Sequence, residues 1–148
     1  MLAPETILQE RYRIIRLIRP GGMGAVYEAL DKRLSSVVAL KETFSQTNEG
    51  REAFLREAKL LANLSHPALP RVTDFFSEGD EQYLVMEFIR GNDLEELLRI
   101  NRRAFPLDTV LDWAEQALNA LEELHSIKPP IVHRDIKPAN LKQRLKDG

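Results

Sequence analysis

The residues best equipped for chemistry lie near the end of the chain, in His133-Arg134-Asp135-Ile136-Lys137-Pro138-Ala139-Asn140. This polar run puts a carboxylate, an ammonium and a carboxamide within a few residues of one another. A carboxylate can accept a proton, an ammonium can neutralise an anion, and an amide oxygen is a hard ligand suited to Mg²⁺. Far upstream, Gly21-Gly22-Met23-Gly24 could let backbone N–H groups approach phosphate oxygens with no Cβ in the way. Lys41 closes the apolar run Val38-Ala39-Leu40, and Glu57 sits within a stretch of helical period. Each has a plainer reading when taken alone. A glycine run is usually a turn, a lysine ending a strand is usually a solvated charge, and Glu57 fits a surface i,i+4 role.

Taken together and in this order, the motifs resemble the eukaryotic-type (Hanks-type) serine/threonine protein kinases, in a bacterial-like form. His133 to Asn140 is similar to the catalytic loop, Val38-Ala39-Leu40-Lys41 to the third-strand lysine motif, and Gly21-Gly22-Met23-Gly24-Ala25-Val26-Tyr27 to the glycine-rich loop over the phosphates. The resemblance implies roles. Asp135 accepts the hydroxyl proton, Lys137 supplies positive charge at the transferring group, and Asn140 ligates Mg²⁺. Lys41 contacts the α and β phosphates and pairs with Glu57. Lys137 within Asp-Ile-Lys-Pro-x-Asn is similar to the Ser/Thr-specific branch. Tyr83 to Ile89 resembles the last strand and hinge. Met86 is then the gatekeeper, and the backbones of Glu87 and Ile89 hydrogen-bond adenine. Ile18, Val26 and Ala39 sandwich the ring, Gly21, Gly22 and Gly24 lie over the phosphates, and Asp93 faces the ribose.

Two positions depart from the family pattern. Arg19, followed by Pro20, replaces the first loop glycine, which stiffens the loop and implies weaker or altered ATP affinity. Lys142 stands where an apolar residue usually lies beneath the adenine. Either its stem packs there or the register after Asn140 shifts.

The elements that must hold these groups are legible from period. Tyr12–Ile18, Ala25–Leu30 and Val37–Lys41 read as strands, broken by Pro20-Gly21-Gly22 and turning at Asp31-Lys32. Phe54, Ala58 and Leu61 recur at helical spacing within 50–64, and His66-Pro67 ends that helix. Strands are expected near Arg71–Phe76 and Tyr83–Phe88. Asn92 or Asp93 can cap a short helix, with Glu95 placed for a capping box. A long helix follows over Leu107–His125, with an apolar stripe of Val110, Trp113, Ala114, Ala117, Leu118, Leu121 and Leu124.

Composition narrows the rest. Lys plus Arg is 21 against 23 for Asp plus Glu, a net charge of −2 that argues against a nucleic-acid binder. No cysteine is present, so disulfide scaffolds, cysteine zinc sites and thiol nucleophiles are excluded. No apolar run reaches the ~20 residues of a membrane span. The chain reads as soluble and cytoplasmic.

The expected fold is α+β and bilobal. It comprises an N-terminal extension (1–10), a small lobe (11–90) with a five-stranded antiparallel sheet and one helix, and the start of a helical lobe (91–148). The implied function is γ-phosphoryl transfer from Mg-ATP to Ser/Thr hydroxyls of a protein substrate. These residues contain no Asp-Phe-Gly and no activation loop, so the chain alone is expected to be inactive, and its apolar stripe to favour self-association. The alternative is a kinase-like pseudoenzyme acting as a nucleotide-binding or protein-interaction module.

Overall fold

A computed structural model of the chain describes residues 1–21, 24–44 and 47–144. Two compact units are present. One comprises Met1–Ser65 with Pro70–Phe88, and the other His66–Leu69 with the chain from Ile89 onward.

The first unit is an antiparallel sheet of six strands: β1 (Ile7–Leu8), β2 (Tyr12–Gly21), β3 (Gly24–Asp31), β4 (Ser36–Phe44), β5 (Val72–Glu78) and β6 (Glu81–Glu87). Their spatial order is β1-β2-β3-β4-β6-β5, with α1 (Asn48–Ala62) connecting β4 to β5. The sheet has one strand more than the five expected. The additional strand is β1, only two residues long and therefore without a readable period. It draws the first ten residues, expected as an extension, into the sheet. Glu5 N donates to Ile14 O at 2.8 Å, and Ile14 N to Thr6 O at 2.8 Å. Nor does Pro20-Gly21 break the strand: Pro20 pairs with Ala25, and Gly21 with Gly24.

Side chains alternate along each strand, so the sheet has two different faces. On one, Tyr12, Ile14, Ala25, Tyr27, Val38, Leu40, Tyr83 and Val85 form the main core. The Phe76 ring stacks between Tyr12 and Tyr83, with centroids 5.6 and 5.1 Å away. The carboxylate of Glu42 is buried here and accepts hydrogen bonds from the hydroxyls of Tyr27 (2.8 Å) and Tyr83 (3.2 Å). Burial, and then the Glu42 charge, pushes the Tyr83 hydroxyl above its ordinary range. On the other face α1 packs against β5 and β6, where Phe54, Ala58 and Leu61 meet Val72, Phe75, Leu84 and Met86. Thr47 caps that helix by accepting from Gly50 N at 3.1 Å.

In the second unit, α2 spans Leu94–Asn101 and α3 spans Leu107–Ser126. Asp93 caps α2 by accepting from Glu96 N at 2.9 Å. The third helical position is therefore Glu96 rather than Glu95, and the Glu96 carboxylate pairs with Arg99. The expected stripe on α3 is only partly covered. Leu124 and Ala120 are buried, and Phe105 meets Trp113 edge to face at 5.0 Å, while Leu118 remains 65% exposed. No helix among the described residues is long and apolar enough to cross a membrane.

Asp31 anchors the first unit. Buried at the end of β3, it accepts a bidentate pair from Arg11 at 3.0 and 2.6 Å, plus backbone bonds from Arg33 and Leu34. The guanidinium first, and then these N–H groups, hold its carboxyl below the usual range despite burial. The folded group thus ionises more readily than the unfolded one. Its stabilisation is complete above the unfolded value near ~4 and is lost as pH falls through the folded value. Asp31→Ala should cost about 2–4 kcal/mol at pH 7, because it leaves Arg11 with the longer 3.3 Å contact to Asp74 and takes the acceptor from two backbone N–H groups, and noticeably less near pH 3. Thermal melts followed by far-ultraviolet circular dichroism at the two pH values test this. An equal loss at both would refute the linkage.

Candidate active site

After α3 the chain runs through Ile131, which packs beside Leu124 and donates its N–H to Leu124 O at 3.0 Å. The polar loop then ends in a 3₁₀ turn, Pro138–Asn140, where proline fits because the first helical N–H needs no partner. This turn folds Asn140 back over Asp135. Asn140 Nδ2 donates to both Asp135 O and Asp135 Oδ2 at 2.8 Å. Lys137 Nζ lies 3.0 Å from the other oxygen, Asp135 Oδ1. Asp135 N donates to His133 Nδ1 at 3.4 Å. Arg134 takes φ 66, the left-handed conformation that reverses the chain just before the aspartate.

Asp135, Lys137 and Asn140 are thus brought together. The carboxylate is orientated by two different donors and remains open to solvent, with 59% of the side chain exposed. Lys137 first, and Asn140 second, hold its pKa below the ordinary range. Asp135 is therefore ionised at neutral pH. It can accept a hydrogen bond from a hydroxyl and orient it. With its nitrogen committed to Asp135, Asn140 turns its amide oxygen the other way, as a hard neutral donor of the kind Mg²⁺ takes.

The sheet unit gathers a second set. Val26, Lys41 and Leu84 form one cross-strand row, and Ala39 and Met86 pair in the next. Alternation puts Val26, Ala39, Lys41 and Met86 on the face opposite the tyrosine-rich core. Ile18 lies in β2, where Arg19 pairs with Val26 in extended geometry. Gly21 closes the β2–β3 pairing, and Gly22 falls outside the described residues. Gly24 has a reason beyond phosphate approach. Its φ is 155, and a Cβ there would lie 1.9 Å from Glu42 O on β4. Glu87 ends β6 with its N–H donated to Arg71 O, and Ile89 follows at the start of the second unit.

One expected contact is not made. Lys41 and Glu57 are both exposed, and among the described residues no ion pair joins them. Helix α1 docks through Phe54, Ala58 and Leu61 onto β5 and β6. Asp93 directs Oδ1 to the cap of α2. The contacts of Lys142, noted above only as a departure from the family pattern, emerge from the structure. Lys142 reaches the carbonyls of Ile89 and Gly91, and the only sequence signal for this is a lysine where an apolar residue is usual.

Residues 12–145 match the protein kinase domain family, and the chain belongs to it. Among its relatives is the serine/threonine-protein kinase PknA of Mycobacterium tuberculosis, 42% identical over 142 residues, covering 90% of this chain and 32% of PknA. The chain therefore spans about a third of that kinase's length. The PknI kinase domain of M. tuberculosis superposes with a TM-score of 0.81 at 26% identity, over 97% of this chain and 59% of that one. Rad53 residues 1–466 in complex with AMP-PNP gives 0.77 at 29% identity, over 88% and 34%.

Replacing Lys137 by Met should move the Asp135 titration midpoint upward, toward the ordinary carboxylate value, by removing the nearest cation. Carbon-detected NMR titration of the aspartate carboxyls measures it. An unshifted midpoint would show that the 3.0 Å pair is not formed in solution.

Proposed function

We propose that this chain carries the glycine-rich loop, third-strand lysine and catalytic loop of a bacterial-type serine/threonine protein kinase. The reaction is attack by a Ser or Thr hydroxyl oxygen of a protein on the γ-phosphorus of ATP. The bond to the bridging oxygen breaks, ADP departs, and the hydroxyl proton passes through Asp135 to solvent. The observation that carries this reading is the triad in which the side chains of Lys137 and Asn140 each lie within 3.0 Å of the Asp135 carboxylate. In this reading Asp135 aims the hydroxyl, and Lys137 sits beside it as the cation for the moving phosphoryl charge. Asn140 offers its amide oxygen to Mg²⁺, which when bound neutralises phosphate oxygens. Lys41 serves the α and β phosphates, and the connector at Glu87 and Ile89 receives adenine.

The second reading, a nucleotide-binding or interaction module without catalysis, is favoured by the unmade Lys41–Glu57 pair. The 148 residues contain no Asp-Phe-Gly. By themselves they are proposed to bind Mg-ATP without turning it over, and the exposed part of α3 to promote self-association.

The readings separate in one comparison. In a version of the protein extended through Asp-Phe-Gly and the activation loop, Asp135→Asn should lower phosphate transfer to a Ser/Thr peptide by at least about 10²-fold while leaving ATP affinity within about threefold. Lys41→Met should lower both. Radiolabel transfer and nucleotide titration read the two quantities. Transfer that survives Asp135→Asn would refute the catalytic assignment, and an extended protein that binds ATP but transfers nothing would favour the second reading.

A further inference from the structure

Lys142 lies two residues beyond Asn140, where the chain leaves the catalytic loop and returns to the start of α2. An antiparallel bridge pairs it with Asp93, and Leu94 N donates to Leu141 O at 2.9 Å. With its backbone so placed, its ammonium donates to Ile89 O and to Gly91 O, each at 3.1 Å. Gly91 has φ 102, a conformation that side chains avoid. One cation therefore engages two carbonyls of the connector through charge-assisted hydrogen bonds.

The consequence follows from the hydrogen-bonding edge of a purine, given the proposed seating of adenine on this connector. Adenine offers an amino donor at position 6, an acceptor at N1 and only a C–H at position 2. If the Glu87 carbonyl takes the amino group and Ile89 N–H donates to N1, the next connector group, the Ile89 carbonyl, faces position 2. Adenine asks nothing of that carbonyl. A base with an amino group at position 2 would donate to it, and here an ammonium already does so. A positive charge on the acceptor repels a second donor, which discriminates through a disfavoured alternative rather than an added attraction.

We propose that Lys142 is a specificity-determining residue that selects nucleotides without a donor at purine position 2. It acts by placing its ammonium against the Ile89 carbonyl, where a second donor meets positive charge.

The test titrates the 148-residue chain with Mg-ATP and with the triphosphate of 2,6-diaminopurine riboside, which differs from ATP only by the 2-amino group. Wild-type chain should bind the diamino nucleotide several-fold more weakly than ATP, a result that needs no variant. Lys142→Met should shift the affinity ratio by about tenfold toward the diamino nucleotide, the size of one recovered hydrogen bond. Lys142→Arg, which restores a cation, should return the ratio toward wild type. A merely structural loss would weaken both nucleotides together and leave their ratio fixed, so an unchanged ratio in Lys142→Met overturns the proposal. Equal binding of the two nucleotides by the wild-type chain would also overturn it. If the wild-type chain binds neither nucleotide, the seating of adenine on the connector is wrong, and the proposal falls with it.

Discussion

Strand β4 must serve two cores at once, and the register of the sheet is bound by that requirement. Val38, Leu40 and Glu42 point into the tyrosine-lined core, while Ala39, Lys41 and Thr43 point to the opposite face, where α1 packs. A slip of one residue would bury the Lys41 ammonium among aromatic rings and expose Leu40. The flanking strands reinforce the same choice, because the row Val26, Lys41, Leu84 is defined by pairing on both sides. Gly24 adds a steric lock. Its backbone approaches Glu42 so closely that no larger residue fits. The position of Lys41 is thus a by-product of packing, and the chemistry proposed for it uses a geometry that burial already enforces.

The catalytic loop is held on a different principle. Little of it is buried. Its shape comes from a short network in which Asp135 accepts from an ammonium on one oxygen and an amide on the other. A left-handed residue lies on one side of the network and a proline-initiated turn on the other. Exposed interactions of this kind are individually weak. Their value lies in preorganisation, since the carboxylate is held between two donors and is ionised at neutral pH. Lys142 extends the same economy of means to the connector, where one side chain engages two carbonyls.

What the sequence revealed, and what it hid, divides along physical lines. The strands containing Tyr12, Tyr27, Leu40 and Val85 were readable because burial on one face imposes a period of two, and α1 because Phe54, Ala58 and Leu61 keep a helical period. The triad was readable because its members are close in the chain. Strand β1 was not, because two residues carry no period. The unmade ion pair of Lys41 and Glu57 was also hidden, since motif spacing says which groups can meet and not whether they do. Lys142 stood out only as a residue out of place, and its partners are backbone carbonyls, which leave no trace in residue identity.

The short strap ahead of β2 also bears on handling the protein. Leu2 N donates to the Tyr27 hydroxyl, which in turn donates to Glu42, so three groups link the second residue of the chain to the strand that carries Lys41. Met1, by contrast, is 85% exposed. A purification tag fused ahead of Met1 emerges into solvent and leaves this relay intact. Trimming the chain back to the first long strand, as its family match beginning at residue 12 invites, would remove the cover from Tyr27 and Ile14. The working boundary for a soluble preparation therefore lies ahead of the strap.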